Sequence, residues 1–143
     1  MRHKRLWWVL AALIGVPVGL LALYLLAFVG LFIVGPTAED YSNRTPFDAE
    51  SWRDRSLDQA DPAWPTRLRM IDDVIARRRL DGFTRNELLT LLGPADQTDK
   101  WRDWHLVYWL GPERSGFARI DSEWLVIRFD DSSRVATYRI VRD

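Results

Sequence analysis

The sequence predicts an α+β fold in which an N-terminal transmembrane helix is followed by two helices packed on a three-stranded antiparallel sheet. Three observations predict it. An uncharged apolar run extends from Leu6 to Val34, apolar residues recur at three- and four-residue spacing between Thr66 and Leu92, and the period switches to two from Trp104 onward. The chain divides accordingly into a cytoplasmic N-terminus (1–5), the transmembrane helix (6–34), a polar connector (35–65) and an α+β domain (66–143).

The apolar run comes first. At about 1.5 Å per residue a helix of this length exceeds the roughly 30 Å hydrocarbon core of a bilayer. Arg2, Lys4 and Arg5 precede it, and the first charges behind it are Glu39 and Asp40. The positive-inside bias therefore keeps the N-terminus in the cytoplasm and places residues from about 37 onward outside, with the bilayer as the first partner. A signal peptide has a shorter apolar region, about 7 to 15 residues, and ends at a small-x-small site; here Pro36-Thr37-Ala38 puts proline where a small residue is wanted. Trp7 and Trp8 suit the headgroup level at a span's end. Gly15 and Gly19 form a small-xxx-small spacing across Pro17, which reads either as a tolerated kink or as a contact for a homodimer through this helix.

Composition excludes several classes of function. With no cysteine among 143 residues there is no disulfide framework, thiol nucleophile, cysteine-ligated metal or lipidated N-terminal cysteine. All 20 acidic residues but only 17 of the 20 basic ones follow the apolar run, leaving the outer part slightly acidic and without the basic stripe of a nucleic-acid-binding surface. Two isolated histidines do not make a metal site. Neither a cofactor nor a metal is expected.

Residues 35–65 carry no sustained period and are punctuated by Thr45-Pro46 and by Asp61-Pro62-Ala63-Trp64-Pro65, so they read as a surface connector in which Trp52, Leu57 and Trp64 dock onto the domain. After Pro65, Leu68, Met70, Ile71, Val74 and Ile75 form one apolar stripe, predicting a helix from Thr66 to about Leu80 that closes on Arg77-Arg78-Arg79 and ends at Asp81-Gly82. The second helix is punctuated at both ends. Thr84 with Glu87 makes a capping box, Phe83 and Leu88 a hydrophobic staple, and Gly93-Pro94 a stop, giving a helix over about 85–92. Trp104, Leu106, Tyr108 and Leu110 alternate with His105, Val107 and Trp109, predicting a strand that Gly111-Pro112 terminates. Strands over Glu123–Phe129 and Arg134–Val141 then meet across Asp130-Asp131-Ser132-Ser133, completing a meander.

No catalytic set assembles along the chain. His105 lies inside a strand, where a structural role is expected. Glu113, Asp121 and Glu123 are interleaved with Arg114, Arg119 and Arg128 and read as solvated ion pairs, while Asp130-Asp131-Ser132-Ser133 lacks the spacing of a calcium loop. The tryptophans remain. Trp104, Trp109 and Trp124 cannot all face one small core if the alternation holds, so the sheet has a second face that either the connector covers or a partner does. Trp101, in a loop between Lys100 and Arg102, completes the set of candidate partner-binding residues: Trp101, Trp104, Trp109 and Trp124.

The strings Leu80-Asp81-Gly82-Phe83-Thr84-Arg85-Asn86-Glu87-Leu88, Leu91-Leu92-Gly93-Pro94-Ala95-Asp96, Val107-Tyr108-Trp109-Leu110-Gly111 and Trp124-Leu125-Val126-Ile127-Arg128-Phe129-Asp130 resemble the SmpA/BamE group of small bacterial envelope proteins over roughly residues 66–141. Members of that group are lipoproteins, and this chain has no cysteine to lipidate. The resemblance implies a helix-helix-strand-strand-strand domain that binds other proteins. Combined with the apolar run, the expectation is a single-pass inner-membrane protein whose outer domain is a non-enzymatic interaction or envelope-assembly module with an envelope protein as partner. The alternative is an inhibitor-like or small-ligand-binding domain.

Overall fold

A computed structural model describes residues 2–30, 35–114 and 120–143, with side chains from 13 to 30, 38 to 114 and 120 to 143. The apolar N-terminal residues form α1 (Arg2–Val29), with Pro17 inside it. Among the described residues, however, no helix is long and apolar enough to cross a membrane. That corrects the expected transmembrane helix over 6–34. The part of the run with described side chains, 13–30, includes Gly15, Pro17, Gly19 and Gly30. Residues 31–34 and the side chains of Trp7 and Trp8 lie outside the described residues. Two compact units divide at Glu39, and the rest of the fold is that of the second, Asp40–Asp143.

The connector is more ordered than its sequence suggests. It contains α2 (Gly35–Asn43), α3 (Ala49–Arg53) and a 3₁₀ turn (Arg55–Gln59). Asp48 starts α3 by accepting the Ser51 N–H, and Asp54 starts the 3₁₀ turn by accepting from Ser56. Between them Trp52 is fully buried, and Trp64 is nearly so. Leu57, expected to dock, is 44% exposed.

Helix α4 (Thr66–Ala76) buries Leu68, Met70, Ile71 and Val74. It ends four residues before the expected Leu80, because Arg78 turns into the left-handed region at φ 49° while the Arg79 N–H reaches back to the Val74 carbonyl. The turn carries Leu80 into the core, where it is fully buried. Helix α5 (Arg85–Leu92) matches its expected bounds, with the Thr84/Glu87 capping box formed in both directions and Gly93 as C-cap at φ 77°. Leu88 and Leu92 are fully buried, and Leu89 and Leu91 pack at the margin of the same core.

The sheet is the expected antiparallel meander, in the order β1 (Leu106–Pro112), β2 (Ser122–Phe129), β3 (Val135–Arg142). Trp104 and His105, expected within the first strand, lie ahead of it. Gly111-Pro112, expected to stop that strand, belongs to it, with a bulge between Trp109 and Gly111. Gly111 is there because the Pro65 ring and the Leu68 side chain close on it: a Cβ would stand 2.9 Å from Cδ of Pro65. Leu106, Tyr108 and Leu110 share one face with Leu125, Ile127 and Ile140, and α4 and α5 cover that face. The α+β class thus holds, with two helices on three strands.

Candidate interaction surface

The pleat sends every second residue to the other face of the sheet. The register sets Trp109 beside Trp124 and Trp124 beside Val141, Val107 beside Val126 and Val126 beside Arg139, and Arg128 beside Thr137. Among the described residues the contacts there come from no helix of the core, yet Val126 is fully buried and Val107 is 7% exposed. The cover is the loop ahead of β1. It starts from Asp96, whose N–H donates to the Val107 carbonyl at 2.9 Å and whose carboxylate accepts the Trp109 N–H at 2.6 Å. Asp96 is itself held by Arg67 at 3.1 Å, a guanidinium buried between the rings of Trp52 and Tyr108. Burial lowers the Arg67 pKa and pushes the Tyr108 hydroxyl up to about 12, so the phenol keeps its proton at neutral pH.

The loop then crosses the face. Lys100 lies over the Trp124 ring and pairs with Asp143, and the Trp124 indole N–H also reaches Asp143 at 3.3 Å. Trp101 takes φ 59° and its carbonyl accepts the Trp104 N–H. Arg128 donates to the Asp103 carbonyl at 3.0 Å. The guanidinium carbons of Arg128 and Arg139 lie 4.7 and 5.1 Å from the centre of the Trp104 ring, within cation–π range. Trp104, Trp109 and Trp124 are thus gathered on one side of the sheet, each half-buried. Trp101 belongs to the covering loop; it is half-buried, with its indole nitrogen buried and unpartnered. Of the two covers the sequence left open, the connector contributes, among the described residues, Arg55 over the Trp109 ring at 5.3 Å.

The sequence reading missed the arginines. Arg128 was expected among the ion pairs, but neither Arg128 nor Arg139 meets a carboxylate among the described residues. One signal could have found it: Arg128 continues the outward period of Trp124 and Val126.

The carboxylates sit elsewhere and are occupied. Glu123 is fully buried rather than solvated; it accepts from Arg114 at 3.0 Å and Arg142 at 3.2 Å, and Arg114 also reaches Asp72 at 2.6 Å. Burial works against the Arg114 charge, but Asp72 and Glu123 outweigh it and raise the pKa. Glu113 takes Arg142 at 2.8 Å, Asp121 is exposed, and Arg119 lies outside the described residues. His105 Nδ1 accepts the Phe129 N–H at 2.8 Å, which puts its proton on Nε2. In that tautomer Nε2 has no lone pair for a general base, although Ser133 and Asp130 line the same cleft of about 220 Å³. Asp130 is spent on the turn, accepting from the Ser132 and Arg134 N–H groups. Among the described residues no three His, Asp or Glu side chains converge as a metal site.

Comparison with known proteins finds no matching family model, curated protein or solved structure, so the likeness to the SmpA/BamE group rests on its motifs alone.

Proposed function

We propose that this chain is a non-enzymatic module that binds another protein through the outer face of its sheet, a role of the kind the SmpA/BamE resemblance implies. The observation that carries the reading is the half-buried row of Trp104, Trp109 and Trp124 beside the exposed Arg128 and Arg139. Large aromatic rings at the edge of water supply contact area at little entropy cost, and tryptophan and arginine are both enriched at interface hot spots. The test is crosslinked co-purification with a C-terminal tag, comparing wild type with Trp104→Ala after both are confirmed folded. A defined partner held by wild type and lost from the variant is the expected result. A clean preparation without a specific partner overturns the reading.

A second reading, a small-ligand-binding domain, is favoured by one observation. An open cleft of about 520 Å³ between α3 and α5 is lined by Arg53, Phe83, Asn86, Glu87, Thr90 and Leu91. Leu91→Trp, which fills that cleft, separates the two: it abolishes a thermal shift caused by a cleft ligand and leaves partner capture unchanged.

A further inference from the structure

Strand β3 is an edge. Among the described residues it pairs with β2 alone, apart from the bridge between Thr84 and Arg134 and the Val135 N–H donated to the Phe83 carbonyl. From 136 to 141 no described backbone group bonds to its outer side. The strand runs eight residues, Val135–Arg142, without a proline, and its only register shift is at the hairpin end, between Arg128 and Phe129. Natural sheets usually blunt such an edge with prolines, bulges or a covering element. Among the described residues the protecting feature here is charge. Arg139 stands on the outer face of this strand, one strand away from Arg128, and neither cation has a carboxylate among the described residues.

We infer that the open edge of β3 accepts an extended segment of a partner protein, adding a fourth strand whose carboxylates alternate along the side facing Arg139 and Arg128. The inference rests on the interaction reading above and names the partner's chemistry. Main-chain hydrogen bonds to the edge supply affinity, and alternate side chains supply specificity. On the Trp104 side those side chains are acidic. On the opposite side they meet Tyr138 and Ile140, both half-buried, so they are apolar. A second copy of this chain is a poor occupant, because antiparallel pairing of two β3 strands sets Arg139 of each copy on the same face near the two-fold axis, and like charges across a ladder repel. A nucleic acid fits poorly too: the outer part of the chain carries more acidic than basic residues, which opposes a long polyanion but not a short acidic strand.

The test uses the full chain and a fluorescent eight-residue peptide alternating leucine with glutamate. The expected result is saturable binding with slowed amide exchange along β3, weakened about fivefold by Arg139→Ala and about tenfold by Arg128→Ala with Arg139→Ala, the range for charge pairs at an interface rim. The same peptide N-methylated on alternate residues, which removes the edge hydrogen bonds, should not bind. Equal binding by the N-methylated peptide, by a leucine–lysine peptide or by a single-stranded oligonucleotide overturns the inference, as does dimerisation of the chain through β3 or no binding at all. If the peptide fails while wild type still captures a partner that Trp104→Ala loses, this inference falls and the interaction reading stands.

Discussion

Two single positions are more demanding than their residue types suggest. At Gly111 an added methyl group would stand 2.9 Å from Cδ and 3.0 Å from Cγ of Pro65 and 3.1 Å from Cδ2 of Leu68, and the proline ring cannot rotate away. Gly111→Ala is therefore expected to destabilise the fold by about 1–3 kcal/mol, the usual cost of overpacking, read from the urea midpoint at unchanged slope. Glu123 is demanding for the opposite reason: it is filled with charge rather than starved of space. Its carboxylate is fully buried and holds two guanidiniums, so Glu123→Gln leaves Arg114 with Asp72 and the more distant Asp40, the latter at 3.5 Å. Breaking one side of a buried pair costs about 3 kcal/mol. A double-mutant cycle with Arg114→Met is expected to be non-additive, since Arg114 and Glu123 are direct partners. Additive losses would mean that Glu123 stabilises through something other than Arg114.

At the scale of elements, α5 is held by chemistry that can be removed one group at a time. The Thr84 side chain accepts the Glu87 N–H while the Glu87 carboxylate accepts from the Thr84 backbone and hydroxyl. Thr84→Ala is expected to cost about 1 kcal/mol, seen as a lower denaturation midpoint, with the loss concentrated in amide exchange of the first turn. The connector is held on α4 by a different device. Asp73 accepts the Phe47 N–H at 3.0 Å, and that bond, helped by Arg79 and Arg77 and opposed by desolvation, keeps its carboxyl below the ordinary 3.8. A carboxyl depressed in the folded state lends stability above its unfolded value and loses it as pH falls through the folded one. Docking of Phe47 is thus expected to weaken below pH 3.8, and an acid titration of the Phe47 amide resonance should show an inflection that Asp73→Asn abolishes. These elements also mark what the sequence makes legible. The bounds of α5 could be read because both ends are written locally, in Thr84, Glu87 and Gly93. The end of α4 could not, because arginines continue a helix well and only the need of Leu80 for the core turns the chain at Arg78. Helix α3 has no period to read; it is built around a single docked ring, Trp52. The outward tryptophans on β1 and β2 and the face of Arg128 follow from alternation, whereas the stacking of the arginines on Trp104 depends on the path of a loop, which no local pattern encodes.

For the molecule as a whole, the domain boundary drawn from periodicity and the one drawn by packing disagree, and the difference can be measured. Periodicity begins at Thr66, but the second compact unit begins at Asp40, and residues between them supply parts the core lacks without them. Trp52 is fully buried against Phe47, with ring centres 5.6 Å apart, and its carbonyl accepts Arg67 Nε at 3.2 Å. Asp58 accepts the Thr66 N–H at 2.9 Å and so caps α4 from outside it, Arg53 donates to the Thr90 carbonyl of α5 at 2.7 Å, and Pro65 presses on Gly111 of β1. Removing a ring like that of Trp52 alone costs about 3–5 kcal/mol, a large share of the roughly 5–15 kcal/mol that holds a domain together. Deleting the whole segment also takes the Trp52 carbonyl and ring from Arg67, leaving it Tyr108 and Asp96. A fragment of residues 40–143 is therefore expected to unfold in one cooperative urea transition with dispersed amide resonances, and a fragment of 66–143 to show neither. Equal midpoints for the two fragments would reduce the connector to decoration. A cooperative 40–143 beside a non-cooperative 66–143 would make it the third wall of the core, against which α4, α5 and the sheet are set.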